Sequence, residues 1–405
     1  MTTNLRRPRR SMVGLAIVVL SAFGVAPPAH GDNKAPPTIP ATKAKKAAPA
    51  TAKTRPPEPP AKKKPPAATR KTRPISTNAE PAPSSQPSPG SSSPAPALPN
   101  PAPTAPGQSN GGNPDQTISG IEGPVDSVAW SPDGKRIATG SDDPGSAARI
   151  WDLATGQTIA LLPSSEGRPS PVAWSPDGSR IAVGNSYRTA QIWDPNAGGA
   201  VQTLTGGFGA PSSVAWSPDG KRVASSEAWV VLVWDPVTGI VLQTFLLDRA
   251  QAVGSVAWSP DGKRLAFSSG STAKIGDPGT LQTTQTLSGH TERVVSVAWA
   301  PSGSRVATAS RDLTARIWDP STGKTTQTLL GHTGFLNSVA WSPDGTRIAT
   351  ASDDGTARIW DPATGKSART FSTPSVGLNS VAWSPDGTRI ATGGEDGKVR
   401  IWAIQ

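Results

Sequence analysis

The seven-residue motif "VAWSPDG" constrains the fold of this chain more than any other feature. Its Trp stands at positions 130, 174, 216, 258, 341 and 383, and the variant "VAWAPSG" places Trp299 in the same series. The spacings are 44, 42, 42, 41, 42 and 42 residues. A fixed period of this size is typical of a chain that stacks one supersecondary unit many times. The sequence therefore predicts seven repeated units.

Each unit has the signals of four β-strands. "SVAWS" and "RIATAS" are short and rich in β-branched or aromatic residues, and the "PDG" between them supplies the Asp-Gly of a tight hairpin turn. "TARIWD" and "TTQTL" give a third and a fourth strand, separated by "PSTG" or "PATG". Seven four-stranded units predict an all-β fold, a seven-bladed β-propeller in which each blade packs against its neighbours.

A second Trp follows about twenty residues after the first in six of the seven units, and Gly276 replaces it in the fourth. With their following Asp, these residues make the units resemble WD40 repeats. The matching pairs are Trp151-Asp152, Trp193-Asp194, Trp234-Asp235, Trp318-Asp319 and Trp360-Asp361.

The resemblance implies a buried hydrogen-bonded set in which a Gly-His, a Ser or Thr, a turn Asp and the Trp act together. Two complete structural tetrads are expected. They are His290, Ser310, Asp312 and Trp318 in one blade, and His332, Ser352, Asp354 and Trp360 in the next. The other blades lack the His, and Tyr187 or Ala228 occupies the Asp position in blades 2 and 3.

The stretch "DQTISGIEG", from Asp115 to Gly123, matches the end of a fourth strand and its loop, "TQTLSGHTE", although no first strand precedes it. The seventh unit in turn has only three strands before the sequence ends at Gln405. We therefore predict that Gln116 to Ser119 forms the outer strand of the last blade and closes the ring, which removes an open sheet edge.

The N-terminal third of the chain differs in composition from the rest. Four arginines precede an apolar run from Met12 to Ala26, and "AHG" supplies small residues for cleavage, so residues 1–31 are predicted to be a signal peptide, or alternatively an uncleaved anchor. Residues 32–114 form a Pro/Ala/Lys/Ser-rich linker that is predicted to be disordered because it has almost no large apolar side chains. The propeller is expected over residues 115–405.

Charge is distributed unevenly along the sequence. Residues 1–114 hold 16 Lys/Arg and 3 Asp/Glu, whereas residues 115–405 hold 24 and 26, so the predicted propeller is nearly neutral. A nucleic-acid-binding domain would carry its basic patch on the folded surface, so nucleic acid is an unfavourable partner class. The basic linker is either a solvated spacer or a tether to an anionic wall or membrane surface.

Catalytic and metal sites find little support in the sequence. There is no Cys, and two of the three His belong to the expected tetrads. "TGKT" and "TGKS" resemble the end of a phosphate loop but have Trp where the first Gly is required. We therefore expect no enzymatic activity, no metal and no cofactor.

Binding residues are expected where the repeats differ from one another. The loops before each first strand and between the second and third strands vary most, and such loops commonly carry recognition. Aromatic and Arg side chains dominate binding hot spots. The candidates are Tyr187, Arg188, Phe208, Trp229, Arg249, Arg293, Arg311 and Phe335.

These observations predict an exported, monomeric interaction scaffold of the cell envelope that binds a protein or peptide partner. The alternative is a sensor that binds a peptide or glycan at the channel mouth. The predicted signal leaves the periplasm, the envelope and the exterior open as locations.

Overall fold

The computed structural model describes residues 112–141, 148–162, 171–185 and 188–404. They form 28 β-strands in seven four-stranded antiparallel sheets. None of these residues belongs to a helix that could cross a membrane. The predicted signal peptide and the predicted linker as far as residue 111 lie outside the described residues.

The four strands of a blade are called a, b, c and d from the centre of the ring outwards. The a strands are β2 (Val125–Trp130), β6 (Val172–Trp174), β10 (Pro211–Trp216), β14 (Val256–Trp258), β18 (Val294–Trp299), β22 (Leu336–Trp341) and β26 (Leu378–Trp383). The b strands are β3 (Arg136–Ser141), β7 (Ile181–Asn185), β11 (Val223–Glu227), β15 (Leu265–Ser269), β19 (Val306–Ser310), β23 (Ile348–Ser352) and β27 (Arg389–Gly394).

The two outer positions complete each sheet. The c strands are β4 (Ala148–Asp152), β8 (Thr189–Asp194), β12 (Val230–Trp234), β16 (Thr272–Asp277), β20 (Ala315–Trp318), β24 (Thr356–Trp360) and β28 (Val399–Ala403). The d strands are β5 (Thr158–Leu162), β9 (Gly199–Thr205), β13 (Val241–Leu246), β17 (Gln282–Leu287), β21 (Thr325–Leu329), β25 (Ser367–Ser372) and, for blade 7, β1 (Gln116–Ile118). The seven-bladed propeller predicted from the repeats is confirmed.

The "SPDG" motif makes the a–b turn of a blade. In blade 1 the Ser131 carbonyl accepts a hydrogen bond from the Gly134 amide at 2.9 Å, and the Ser131 hydroxyl oxygen accepts one from the Arg136 amide at 2.9 Å. Gly134 has a φ of 68°, a left-handed conformation that favours glycine. The Asp133 carboxylate accepts from the Lys135 amide at 3.0 Å. The Asp side chain thus serves the turn, as expected for a turn-forming Asp.

The "SVAW" part of the motif joins neighbouring blades. Five of its Trp donate their indole N–H to an Ala carbonyl of the preceding blade at 3.1 to 3.2 Å: Trp130 to Ala382, Trp174 to Ala129, Trp216 to Ala173, Trp258 to Ala215, and Trp383 to Ala340. The Ser two positions before this Ala also bonds the neighbouring blade. For example, the Ser380 hydroxyl of blade 7 accepts a hydrogen bond from the Val128 amide of blade 1 at 3.0 Å. The repeat therefore carries its own interblade contacts, which explains why it is so uniform.

Strand β1 closes the ring as the outer strand of blade 7, as the sequence predicted. It pairs antiparallel with β28, so that Gln116 lies opposite Ile401 and Ile118 lies opposite Val399. The strand ends at Ile118, one residue earlier than expected. Ile118 is buried in a cluster that also holds residues of blades 1 and 7, so the closing strand contributes to the core as well as to the sheet.

Blade 4 shows how the fold tolerates the loss of its second Trp. Gly276 takes the Trp position opposite Leu265, and the rings of Phe245 and Phe267 pack together with centroids 5.7 Å apart. A side-chain carbon at Gly276 would lie 2.8 Å from Phe245 and 3.1 Å from Phe267. The two Phe rings therefore occupy the volume that the Trp fills in the other blades.

Candidate interaction face

The d–a and b–c loops lie at the same end of the strands, and we call the surface they form the loop face. The a–b and c–d turns form the opposite surface, the turn face. The seven predicted binding residues that the structure describes belong to the loop face, and so do the His and Asp of both expected tetrads.

The blade 6 network runs from the sheet to the loop face. The Trp360 indole N–H donates to the Thr350 hydroxyl at 2.8 Å, and Thr350 bonds His332 Nε2 at 2.7 Å. His332 Nδ1 bonds the Asp354 carboxylate at 2.8 Å. Burial lowers the pKa of His332, so the imidazole is neutral at physiological pH. Its partners then require a proton on Nδ1, which donates to Asp354, and an Nε2 that accepts from the Thr350 hydroxyl.

Blade 5 has the same network around His290. His290 Nδ1 lies 2.7 Å from Asp312, and Thr308 bonds both His290 Nε2 at 2.7 Å and the Trp318 indole at 2.8 Å. Burial alone would raise the pKa of Asp312, but hydrogen bonds from His290 and Thr314 outweigh it and lower that pKa to about 2. The ionised carboxylate also accepts from the Thr291 amide at 3.1 Å, so it fixes the loop that leads into the a strand.

The sequence interpretation was wrong about which hydroxyl belongs to each network. Ser310 and Ser352 were expected there, but Thr308 and Thr350 take the position. Trp318 lies opposite Val306, so its indole reaches the diagonal neighbour Thr308 on the same face, whereas Ser310 is two residues further along β19. The Ser310 and Ser352 hydroxyls instead donate to the carbonyls of Glu292 and Gly334, at 3.0 and 3.1 Å, and accept from the amides of Asp312 and Asp354.

Blade 3 replaces the His with a buried carboxylate that the sequence interpretation missed. The Trp234 indole donates to the Ser225 hydroxyl at 2.9 Å, and that hydroxyl donates to Glu227 at 3.1 Å. Glu227 accepts from the amides of Phe208 and Gly209 at 2.7 and 3.3 Å. Glu227 is fully buried, and burial raises its pKa although the two amides act in the opposite direction. The sequence did carry a signal for this carboxylate, because Glu227 ends its b strand at the position where blades 5 and 6 have Ser310 and Ser352.

Three of the predicted binding residues, Phe208, Trp229 and Arg249, group around the Trp229 ring, and we call them the blade 3 cluster. The Phe208 and Trp229 rings lie 6.4 Å apart at 58°, and the Arg249 guanidinium lies 4.9 Å from the Trp229 ring centre. Phe208 is 44% exposed and Arg249 is exposed, whereas Trp229 is half-buried and packs on the core. Arg188 is exposed, and it lies close to this cluster because its carbonyl accepts a hydrogen bond from the Gly207 amide at 3.1 Å. The cluster therefore presents aromatic edges and positive charge together.

Three others form a second group, the blade 5–6 cluster. The Arg311 guanidinium lies 5.7 Å from the Phe335 ring centre, and the Arg311 amide donates to the Arg293 carbonyl at 3.0 Å. Burial and the positive charge of Arg311 lower the pKa of Arg293. Among the residues that the structure describes, no carboxylate forms an ion pair with either guanidinium, and both Nε atoms are buried without a hydrogen-bond partner. Such polar groups are costly unless a partner satisfies them.

Tyr187 lies outside the described residues. In the part of the chain that is described, no group of three or more His, Asp or Glu side chains could hold a metal ion.

Comparison with known families agrees with this architecture. The model for the WD domain, G-beta repeat, matches residues 112–152, 172–194 and 198–235. A second model, the IFT122 first beta-propeller, matches residues 252–405. A comparison with curated proteins gave no significant match. One model describes the WD repeat and the other a β-propeller, and together they match more than half of the chain. With the seven four-stranded blades described above, the chain belongs to the WD40-repeat β-propeller family.

Proposed function

We propose that this protein is a non-enzymatic scaffold of the cell envelope that binds a protein or peptide partner through its loop face. WD40 propellers are typically platforms for protein interaction and are generally non-catalytic. The observation that carries the proposal is the grouping of aromatic and Arg side chains into the blade 3 and blade 5–6 clusters. Residues of these types contribute most to the binding energy of protein interfaces.

The two clusters offer different chemistry to a partner. In the blade 3 cluster, Phe208 and Trp229 offer apolar contact area beside the Arg249 charge. In the blade 5–6 cluster, Arg293 and Arg311 offer guanidiniums that have no carboxylate partner among the described residues, next to the half-exposed Phe335. A partner that places apolar side chains on the first and a carboxylate on the second would satisfy both, because guanidinium–carboxylate pairs combine charge with two parallel hydrogen bonds.

The N-terminal sequence supports an exported location for this scaffold. A basic, apolar and small-residue signal pattern spans residues 1–31, and a Pro-rich basic segment separates it from the propeller. The scaffold is then a monomer on a spacer that can lie against an anionic wall or membrane surface.

Affinity capture from an envelope extract tests the proposal. The full-length protein is compared with a Phe208→Ala/Phe335→Ala variant and with Leu281→Ala as the matched control. Leu281 is 43% exposed, close to the 44% and 46% of the two Phe, but it lies on the turn face. A partner retained by the control and lost by the double variant supports the loop face as the binding surface.

Two results would contradict this function. The same set of captured proteins with all three forms would show that the loop face is not the binding surface. Thermal stabilisation by a glycan or a short peptide, with no protein captured, would favour a sensor at the channel mouth.

A further inference from the structure

The loop between blades 2 and 3, residues 206–210, covers a buried carboxylate, and we call it the blade 3 lid. Glu227 ends β11 and is fully buried. Its Oε2 accepts hydrogen bonds from the Phe208 amide at 2.7 Å and from the Gly209 amide at 3.3 Å. A side-chain carbon at Gly207 would lie 2.5 Å from Oε2, so the lid backbone lies directly on the carboxylate.

No positive charge offsets the burial of this carboxylate. Glu227 Oε1 bonds the Ser225 hydroxyl at 3.1 Å, and β10 and β12, the strands on either side of β11, carry no titratable side chain. The loops around the lid carry Arg188, Asp248 and Arg249. In the described part of the chain none of these three pairs with Glu227, and burial raises its pKa although three hydrogen bonds act in the opposite direction. A carboxylate that is buried without a cation is costly when it is ionised.

The equivalent loops of blades 5 and 6 are held by carboxylates with the opposite property. The Thr291 and Thr333 amides donate to Asp312 and Asp354, at 3.1 and 3.0 Å. Each of these carboxylates also accepts from a His ring and from a Thr hydroxyl, and these hydrogen bonds hold the pKa of both carboxyls well below the ordinary value. They therefore stay ionised at a pH at which Glu227 takes up a proton.

The blade 3 lid has the composition of a segment that opens easily. Three of its five residues are glycine, and Gly206 has a φ of 105°, a conformation that favours glycine. Gly206 and Phe208 are exposed. Among the described residues, three hydrogen bonds hold the lid backbone, the two to Glu227 and one from the Gly207 amide to the Arg188 carbonyl at 3.1 Å. A segment with so few contacts opens locally at a small cost in free energy.

Opening of the lid is coupled to the charge of Glu227. The protonated carboxyl fits the closed lid, because Oε2 accepts the two amides while an Oε1 hydroxyl donates to Ser225. When the lid is open, water reaches the carboxyl and its pKa returns towards the ordinary value of 4.5. Since the closed lid raises the pKa, it binds the proton more tightly than the open lid does, and loss of the proton favours opening. The closed lid is thus most stable at low pH and loses stability as pH rises from about 4.5 through the raised pKa.

We propose that residues 206–210 form a pH-operated lid, which is closed over protonated Glu227 at low pH and opens when that carboxyl ionises. The lid carries Phe208, whose ring lies 6.4 Å from the Trp229 ring, so opening takes the blade 3 cluster apart. Acid then assembles this aromatic surface and a rise in pH disrupts it. The regulatory part of the inference rests on the proposed function, because it concerns the same cluster, whereas the lid itself does not.

Hydrogen exchange of the full-length protein tests the lid without any partner. The exchange rate of the Phe208 and Gly209 amides is measured over about pH 4 to 8 and divided by the rate in Glu227→Gln at the same pH, which removes the intrinsic pH dependence of exchange. Gln keeps the shape of the protonated carboxyl and stays neutral, so the lid of this variant should remain closed. We expect the ratio to rise above about pH 4.5, by up to about tenfold per pH unit, until the raised pKa is passed. A ratio that stays constant over the whole range would overturn the proposal.

The Thr291 and Thr333 amides are the internal controls. Each donates to a carboxylate whose pKa is lowered, so neither bond should change with pH above about 4.5. Their exchange ratio between the wild type and Glu227→Gln should stay constant. A rise of equal size at these amides would show that the whole propeller loosens, and it would contradict a local lid.

Two alanine substitutions in the lid form a matched pair. Gly207→Ala places a carbon 2.5 Å from Glu227 Oε2 and 2.6 Å from the Arg188 carbonyl, so the lid should not close. Gly209→Ala adds the same group two residues away, where the nearest atom, the Ala228 side-chain carbon, is at 3.5 Å, an ordinary contact. We expect fast exchange of the lid at every pH in Gly207→Ala and wild-type pH dependence in Gly209→Ala. Equal exchange in the two variants would refute closure over the carboxylate.

Acrylamide quenching of fluorescence reports the cluster itself. The difference between the wild type and Trp229→Phe isolates the Trp229 emission, and its quenching should increase with pH in parallel with the exchange ratio. The same difference measured in Glu227→Gln should not change with pH. Constant quenching of Trp229 beside a rising exchange ratio would contradict the regulatory part of the proposal.

Affinity capture gives an independent answer about the proposed function. A partner that is captured although the exchange ratio stays constant with pH overturns the lid and leaves the loop face as the binding surface. A lid that opens with pH although no protein is captured supports the lid and contradicts the proposed function. The two failures are therefore distinguishable.

Discussion

Ring closure by β1 can be tested through one buried side chain. Ile118 is 2% exposed and packs with Val399 and Ile401 of blade 7 and with residues of blade 1. Removing the side chain in Ile118→Ala should cost about 2–5 kcal/mol of unfolding free energy, the range for a large-to-small change in a packed core. If β1 could separate by itself, the loss would be limited to the smaller free energy of local opening. A full loss therefore means that the strand unfolds together with the ring.

A neighbouring residue of β1 supplies the control variant for Ile118→Ala. Thr117 is exposed and lies opposite Arg400, so Thr117→Ala keeps the pairing but removes no buried carbon. Urea unfolding followed by Trp fluorescence should show one transition, shifted to lower urea only for Ile118→Ala. Hydrogen exchange should become faster in β28 and also in β2 of blade 1. A midpoint equal to that of Thr117→Ala, or faster exchange confined to β1, would refute closure as a global constraint.

Three further predictions concern two carboxylates with shifted pKa values and the glycine that replaces a repeat Trp. Asp312→Asn should cost about 2 kcal/mol of unfolding free energy at neutral pH, because the pKa of Asp312 is about 2 in the folded protein against an ordinary value of 3.8. The wild type loses this stability as pH falls from about 4 towards 2. Acid unfolding of the variant that is unchanged from the wild type would contradict the prediction. Glu227→Gln should gain stability relative to the wild type as pH rises above about 4.5. Because burial raises the pKa of Glu227, its protonated carboxyl contributes its full stability at low pH, and that stability is lost as the carboxyl ionises at higher pH. Parallel pH–stability curves of the variant and the wild type would argue against it. Gly276→Ala should destabilise by about 1–3 kcal/mol in thermal or urea unfolding because its new carbon would meet two Phe rings, and an unchanged midpoint would show that the rings can move apart.

The fold could be predicted because the repeat encodes its own contacts. The "SPDG" turn, the interblade Trp and the Ser that bonds the next blade all lie within about ten residues of sequence, so most of this local chemistry recurs from blade to blade. Closure was also predictable, because "QTI" of β1 repeats the pattern of "QTL" in β17. The signal and linker remain predictions.

The candidate site was predictable in composition but not in arrangement. Loop variability selected Phe208, Trp229 and Arg249, yet their grouping depends on backbone conformations that the period does not encode, such as the φ of 44° at Ala228. The expected tetrad hydroxyl lies two residues too far along the b strand, because strand register, which the sequence alone does not give, decides which hydroxyl the Trp reaches.

The breaks in the repeat show how neighbouring residues replace a missing contact. Where the Trp is missing, Phe245 and Phe267 fill the space, and where the blade 3 His is missing, Glu227 takes over the hydrogen bonds to the loop. Both changes are compensated by neighbouring residues, so selection for stability explains them. Arg180 does not stack on Trp216 as the equivalent Arg residues of six other blades stack on the next Trp, but it pairs with Asp194 at 3.0 Å instead. Trp216 nevertheless stays 7% exposed, the same as the stacked Trp258 and Trp383, so this break in the repeat leaves the junction as well covered as the others.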